Sequence, residues 1–212
     1  MQLTYLYDPL CGWCYGATPT IAKLATRPDV TLELMPTGLF SGAGARRMDA
    51  NFASFAWQND QRIAKLTGQV FSKSYRNNVL NKPNGSFDSG PAGLAITAVQ
   101  MTAPKQGFAT LKSLQSARYV DGLDNSDTNV VIDILRDLDL DEAAKLYADP
   151  TDELISTYQN AIRQGQRLMQ RFGLNGVPSL LIKTGRGDEP ISSNLLYGDV
   201  NLLTAELNAV SA

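Results

Sequence analysis

Leu3, Tyr5, Leu6 and Tyr7 form an apolar, β-prone run that Asp8-Pro9 breaks, and Ala17, Ile21 and Leu24 then recur at helical spacing. This stretch predicts a strand, a short turn and a helix, with Cys11 and Cys14 where the helix begins. At a helix N-terminus the first backbone N–H groups lack intrahelical partners and the dipole is positive, so the thiolate of Cys11 should be favoured there. Cys14, three residues on, lies on the same helical face within disulfide reach. A reactive thiol beside a resolving partner is the arrangement of a thiol-disulfide exchange site.

Two other uses of Cys-x-x-Cys compete with that reading. Half of a zinc site is one, but tetrahedral zinc takes about four ligands. The chain has 2 cysteines and 0 histidines, so carboxylates or a second subunit would have to supply the rest, and no metal site is expected. An inert structural disulfide is the other, yet closing so short a loop removes little entropy from the unfolded chain. The lack of histidine also excludes Ser-His-Asp hydrolysis, Cys-His proteolysis and histidine-ligated metal catalysis. Sulfur is left as the leading candidate for chemistry.

The 212 residues, 43% hydrophobic, suffice for one large domain or a domain with an insertion, with no need of a disulfide scaffold. With 19 basic against 21 acidic residues there is no global field to attract nucleic acid or an acidic membrane surface. Arg46-Arg47 is the one notable basic pair and reads as a solvated loop. The longest uncharged run, Ser89 to Pro104, is too short for a membrane span and reads as a buried helix. Met1 leads almost directly into the first strand without an export signal, which favours the cytoplasm, or the periplasm if a signal peptide was removed.

The first helix should run from about Cys11 to Ala25 around an internal Pro19 that should kink it, and Val30 to Met35 alternates as a second strand ended by Pro36. From Gly38 to about Asp149 the periodicity is helical. Phe52, Phe55, Ile63 and Leu66 make one stripe, Ala92, Ala95, Ile96 and Val99 a second, Phe108, Leu111 and Leu114 a third, and Val130, Val131, Ile134, Leu135 and Leu138 a fourth. A long helix follows Thr151, with Leu154, Tyr158, Ala161, Leu168 and Phe172 on one face and Gly173 at its end. Strand pattern returns at Val177 to Ile182 and, after a turn at Gly185-Arg186-Gly187, at Leu195 to Tyr197, before a last helix opened by Gly198-Asp199.

Asn175-Gly176-Val177-Pro178-Ser179 is the second informative stretch. Pro178 before an apolar run fits an edge strand or a first strand position, and it equally fits a cis Val177-Pro178 bond. A cis turn would present the Val177 N–H and C=O for an extended peptide to pair with.

Taken together, Cys11-Gly12-Trp13-Cys14 after a strand, Pro19 in the next helix and Gly176-Val177-Pro178 opening a late strand resemble the thioredoxin fold. The separation of Cys11 from Pro178 is far too long for plain thioredoxin and resembles the DsbA-like thiol-disulfide oxidoreductases, including FrnE-like members. The resemblance implies an α/β thioredoxin fold interrupted by an all-helical insertion, with a thioredoxin-like domain from residues 1–38 and 151–212 and an insertion domain of 39–150. It makes Cys11 the exposed nucleophile, Cys14 the buried resolving thiol, Gly12 and Trp13 the tuning dipeptide, and Val177-Pro178 the cis-proline loop facing the disulfide. It implies no cofactor, and as partners protein or peptide thiols and disulfides, with glutathione or a redox protein as a further partner, for a monomer or homodimer.

There are departures from the family pattern. Many relatives carry a buried acid six residues before the first cysteine, where this chain has Tyr5; Asp8 and Glu33 are the nearest acids by sequence. The dipeptide lacks the histidine of the strongly oxidising members, which points to a reductase-to-isomerase potential. Two alternatives stay open: a kappa-class glutathione transferase or hydroxychromene-carboxylate isomerase on the same fold, against which Cys14 counts, and a non-enzymatic protein that binds a peptide or small ligand.

Overall fold

The computed structural model describes residues 1–211. The chain opens with strand β1 (Gln2–Tyr7), helix α1 (Gly12–Ala25) and strand β2 (Thr31–Pro36). β1 and β2 run parallel, with Leu3 beside Leu32 and Leu6 beside Met35, and α1 is the crossover that a parallel pair requires. Between this unit and the last strands lie two-residue strands β3 (Arg46–Arg47) and β4 (Ser86–Phe87) and most of the helices. Those are α2 (Ala50–Thr67), α3 (Lys73–Tyr75) with a π-helical turn to Leu80, α4 (Gly90–Thr102), and α5 (Gly107–Ser116) with a π-helical turn to Asp121. Then come α6 (Thr128–Asp137), α7 (Asp141–Ala148) and α8 (Asp152–Arg171). The hairpin β5 (Ser179–Thr184) and β6 (Gly187–Ile191) and helix α9 (Val200–Ser211) complete the chain.

The main sheet has the order β2-β1-β5-β6, so the two ends of the sequence meet at its centre. β5 runs antiparallel to β1, pairing Leu3 with Ile182, Tyr5 with Leu180 and Leu6 with Ser179. Leu3, Tyr5, Leu6 and Tyr7 are all buried, as are Leu180, Leu181 and Ile182, because both faces of these central strands are covered. α9 packs on β5 and α8 on β2. The pattern is that of a thioredoxin-like α/β fold.

Local chemistry accounts for the long helices. Thr151 caps α8 by accepting the Leu154 N–H at 3.2 Å, Asp152 and Glu153 occupy its positive first turn, and Arg171 its last. Gly173, at φ 60°, takes the left-handed conformation that ends it. In α1, Pro19 removes the N–H that would have served the Tyr15 carbonyl one turn back, and the Gln69 side-chain amide donates to that carbonyl instead at 3.0 Å.

Four readings of the sequence are corrected. The last strand is Gly187–Ile191, while Leu195 to Tyr197 belongs to a 3₁₀ turn, Ser193–Tyr197. Pro190 hid that strand, and it is tolerated because β6 is the sheet edge. The middle of the chain is not wholly helical, since Arg46 pairs with Phe87 and Arg47 with Ser86. α3 and α7 are additional helices, too short to show an apolar stripe in the sequence. In α2 the predicted stripe is displaced: Phe55 and Leu66 are 66% and 57% exposed, whereas Ala53, Asp60 and Ile63 are buried. An acid on the inward face breaks the apolar period that a sequence reading follows.

Gly165 lets α8 lie directly on the end of β2, because a Cβ there would overlap the Pro36 carbonyl oxygen. Backbone on both sides cannot yield. Gly165→Val should therefore lower stability by about 2–3 kcal/mol, the upper range for overpacking, and outweigh the roughly 0.5 kcal/mol of helix propensity gained. The urea midpoint is the measurement, and a midpoint at or above that of the wild type would show that α8 can move away.

Candidate active site

The site begins where β1 ends. Cys11 N–H donates to the Asp8 carbonyl at 3.1 Å, closing a turn in which Pro9 presets its own φ, and Leu10 N–H donates to Asp8 Oδ1 at 2.9 Å. This double closure delivers Cys11 to the N-cap of α1 in an extended conformation, φ −79° and ψ 115°, with no side-chain cap. The N–H groups of the first turn are thus not taken by a side-chain cap.

Cys11 and Cys14 are both unbonded thiols. Cys14 is fully buried in α1, and burial, with the neighbouring Cys11 sulfur second, pushes its thiol well up. Cys11 is not the exposed thiol expected: it is 6% accessible. The cover is the Val177 loop, whose carbonyl accepts a hydrogen bond from Cys11 Sγ at 3.5 Å. The Val177-Pro178 peptide bond is cis. Trp13, half-buried, packs edge-on against Tyr197 with ring centroids 5.3 Å apart.

Val177 stands between two cavities. One, of about 460 Å³, lies on the Pro178 side against Ser192 and Tyr197. The other, of about 220 Å³, is mostly apolar and is walled by Cys11, Gly12 and Trp13 on one side and by Phe52, Phe55, Asp60 and Tyr75 from α2 and α3 on the other. Trp13, Gly12 and Val177 therefore share a wall with Cys11. Among the described residues no three His, Cys, Asp or Glu side chains converge to hold a metal ion.

Of the acids considered as substitutes for the missing one, Glu33 is exposed on β2 and accepts from Thr4 Oγ1 at 3.4 Å, far from the thiols in register. Asp8 is fully buried and accepts from Leu10 N–H, Phe40 N–H and Ser89 Oγ, the last at 2.8 Å. Burial raises its carboxyl in spite of those three donors.

Asp60 was not anticipated at all, since nothing in its sequence surroundings marks it. It is 5% exposed, accepts from Tyr75 Oη at 2.9 Å, and burial pushes its carboxyl up to about 7. A Cβ on residue 12 would sit 2.5 Å from Asp60 Oδ1, so the glycine of the dipeptide is what admits the acid.

Both carboxyls hold protons more tightly in the fold than in the unfolded chain, whose carboxyls titrate near about 4. Stability therefore falls as pH rises from about 4 to about 7, the folded value of Asp60. Asp60→Asn should flatten that slope. Urea midpoints at pH 5 and pH 8 check it: the drop between them should shrink in the variant, and an undiminished drop would refute the assignment.

The DSBA-like thioredoxin domain model matches residues 2–198. The cytosolic disulfide reductase DsbM from Pseudomonas aeruginosa superposes with a TM-score of 0.87 at 28% identity, covering 99% of this chain and 98% of that one. Its structure with GSH matches at a TM-score of 0.86 and 29% identity. The ClpXP adapter protein SpxH of Bacillus subtilis is 27% identical over 150 residues, 68% of this chain, and the match spans only 48% of that curated relative. Because the family match runs through both cysteines and the Val177-Pro178 loop, the chain belongs to the DSBA-like thioredoxin domain family.

Proposed function

We propose that this protein reduces disulfides of peptides or small thiols, glutathione among them, in the cytoplasm through a Cys11–Cys14 dithiol. The observation that carries this reading is the unequal placement of the two sulfurs. Cys11 forms part of a cavity wall and touches the Val177 carbonyl, while Cys14 is sealed inside α1 with its thiol kept protonated by burial. A substrate disulfide entering the cavity meets Cys11 first. Attack by its thiolate forms a mixed disulfide and expels the first substrate thiolate; Cys14 then attacks Cys11 Sγ, expels the second, and leaves the Cys11–Cys14 disulfide.

Val177 offers its backbone beside Cys11 as an edge for an extended substrate, and Gly12 and Trp13 shape the approach. Support from relatives comes from DsbM, named a cytosolic disulfide reductase and solved with GSH. No described helix is long and apolar enough to cross a membrane. The same reading divides the chain into a catalytic unit of residues 1–38 and 151–212, which carries both thiols and the Val177 loop, and an inserted unit of 39–150, which supplies the opposite cavity wall.

The test is trapping. Incubated with a disulfide substrate, Cys14→Ser should accumulate a mixed disulfide on Cys11 detectable by intact mass, and Cys11→Ser should not. The reverse pattern, or full turnover by Cys14→Ser, would overturn the assignment.

A further inference from the structure

The inserted helix α2 brings a carboxyl group to the very start of the dithiol helix, and nothing in the steps above uses it. Asp60 lines the same cavity as Cys11 and Val177, and its Oδ1 occupies the space that a side chain at Gly12 would fill. The side chain has little freedom: it is 5% exposed and its Oδ2 is held by Tyr75 Oη at 2.9 Å. Behind Tyr75 lies Arg118, fully buried, with its guanidinium 5.5 Å from the Tyr75 ring and 5.2 Å from that of Phe87. Arg118 Nη1 donates to Asn125 Oδ1 at 3.2 Å and lies 3.8 Å from Asp124 Oδ1, while Nε and Nη2 have no hydrogen-bond partner among the described residues. A buried, incompletely paired cation across the Tyr75 ring from a buried acid is costly as packing alone. It is intelligible if the acid must exist in both charge states.

We propose that Asp60 is the acid of the exchange reaction, protonating the substrate sulfur that leaves when Cys11 attacks. The inference rests on the dithiol reading above. In the step, the Cys11 thiolate forms a bond to one sulfur of the substrate disulfide and the S–S bond breaks, its electron pair going to the departing sulfur. That thiolate takes the proton of the Asp60 carboxyl, leaving as a neutral thiol and leaving Asp60 as a carboxylate. No external oxidant or reductant enters, and Asp60 regains a proton from water at the cavity mouth. Leaving is easier for a neutral thiol because an apolar cavity penalises a second anion beside Cys11.

The groups facing Asp60 suit this cycle. Tyr75 from α3 and Arg118 from the turn after α5 both favour its charged form, against burial, which disfavours it, and the balance places its titration at about 7. Tyr119 of the same turn donates to the Leu10 carbonyl at 2.7 Å, and its hydroxyl is raised by burial first, then by Tyr75, Asp60 and Cys11. On the α1 side the titrating groups are Cys11, at the cavity wall, and Cys14, buried below it.

Two substrates separate this role from a structural one. Bis(2-hydroxyethyl) disulfide has an alkyl thiolate as leaving group and needs a proton, whereas 5,5′-dithiobis(2-nitrobenzoate) releases an aryl thiolate that is stable as the anion. Rates are taken per Cys11 thiolate, measured from iodoacetamide alkylation of the same full-length variants in a Cys14→Ser background. Asp60→Asn should slow exchange with the alkyl disulfide at pH 6 by roughly 10²-fold, the usual scale for a positioned general acid, and leave the aryl disulfide unchanged. With the alkyl disulfide the wild-type rate should fall above about pH 7, and Asp60→Asn should abolish that limb.

Tyr75→Phe preserves shape and removes a bond that stabilises the carboxylate, so it should move the limb to higher pH. It decides the matter if Asp60→Asn does not fold. Equal slowing on both disulfides, no slowing on either, or a limb that Tyr75→Phe leaves in place would overturn the inference. If the wild type shows no Cys11-dependent reaction with either disulfide, the exchange reading itself fails.

Discussion

The antiparallel pairing of β5 with β1 is the contact on which the site depends. It joins residues from opposite ends of the chain, Leu3 with Ile182 and Leu6 with Ser179, at the buried centre of the sheet. Because β1 ends just before the Asp8 turn and β5 begins just after Pro178, the register that pairs Leu6 with Ser179 also sets the Val177 carbonyl against Cys11 Sγ. A slip by one residue would exchange the two covered faces of a strand and mismatch the packing on each, so the side-chain packing that sets the strand register also sets the thiol geometry. The Asp8 side chain reinforces it locally through Leu10 N–H and ties it to residues further along the chain through Phe40 N–H and Ser89 Oγ.

The helical residues between the two halves of the sheet do more than fill sequence. Tyr15 on α1 stacks on Tyr119 at 4.7 Å and meets Phe71 edge-on at 5.2 Å, while Tyr119 meets Tyr75 at 5.0 Å. This aromatic cluster fastens α1 to the helices that follow it and holds the far wall of the cavity at a set distance from Cys11. Phe55 and Leu39, exposed at 66% and 45%, form an apolar part of the cavity lining.

The two thiols differ in solvation. Cys14 loses contact with water entirely and its thiol is driven up by that burial, whereas Cys11 keeps access to the cavity and to the free N–H groups at the start of α1. The acids are treated in the same manner. Asp8 is buried among three donors and serves the turn, and Asp60 is buried beside Gly12, where it meets whatever occupies the cavity.

Much of this molecule was determined by local sequence. The β1 run, the break at Asp8-Pro9, the helix carrying Cys11 and Cys14, the cap at Thr151 and the stop at Gly173 each follow from interactions within a few residues, and the two cysteines with no histidine make sulfur the leading candidate for chemistry. What lay beyond the sequence required contacts between distant segments. β6 was missed because Pro190 opposes a strand unless the strand is an edge, and being an edge is a property of the sheet. The inward face of α2 was misjudged because Asp60 interrupts the apolar period, and only the packing of α2 against Gly12 and Tyr75 gives that acid a reason to be buried. Cys11 was expected exposed because accessibility is set by the Val177 loop, which arrives from the other end of the chain. Short-range sterics and hydrogen bonding choose the elements, while burial of charge and thiol depends on which surfaces the completed fold brings together.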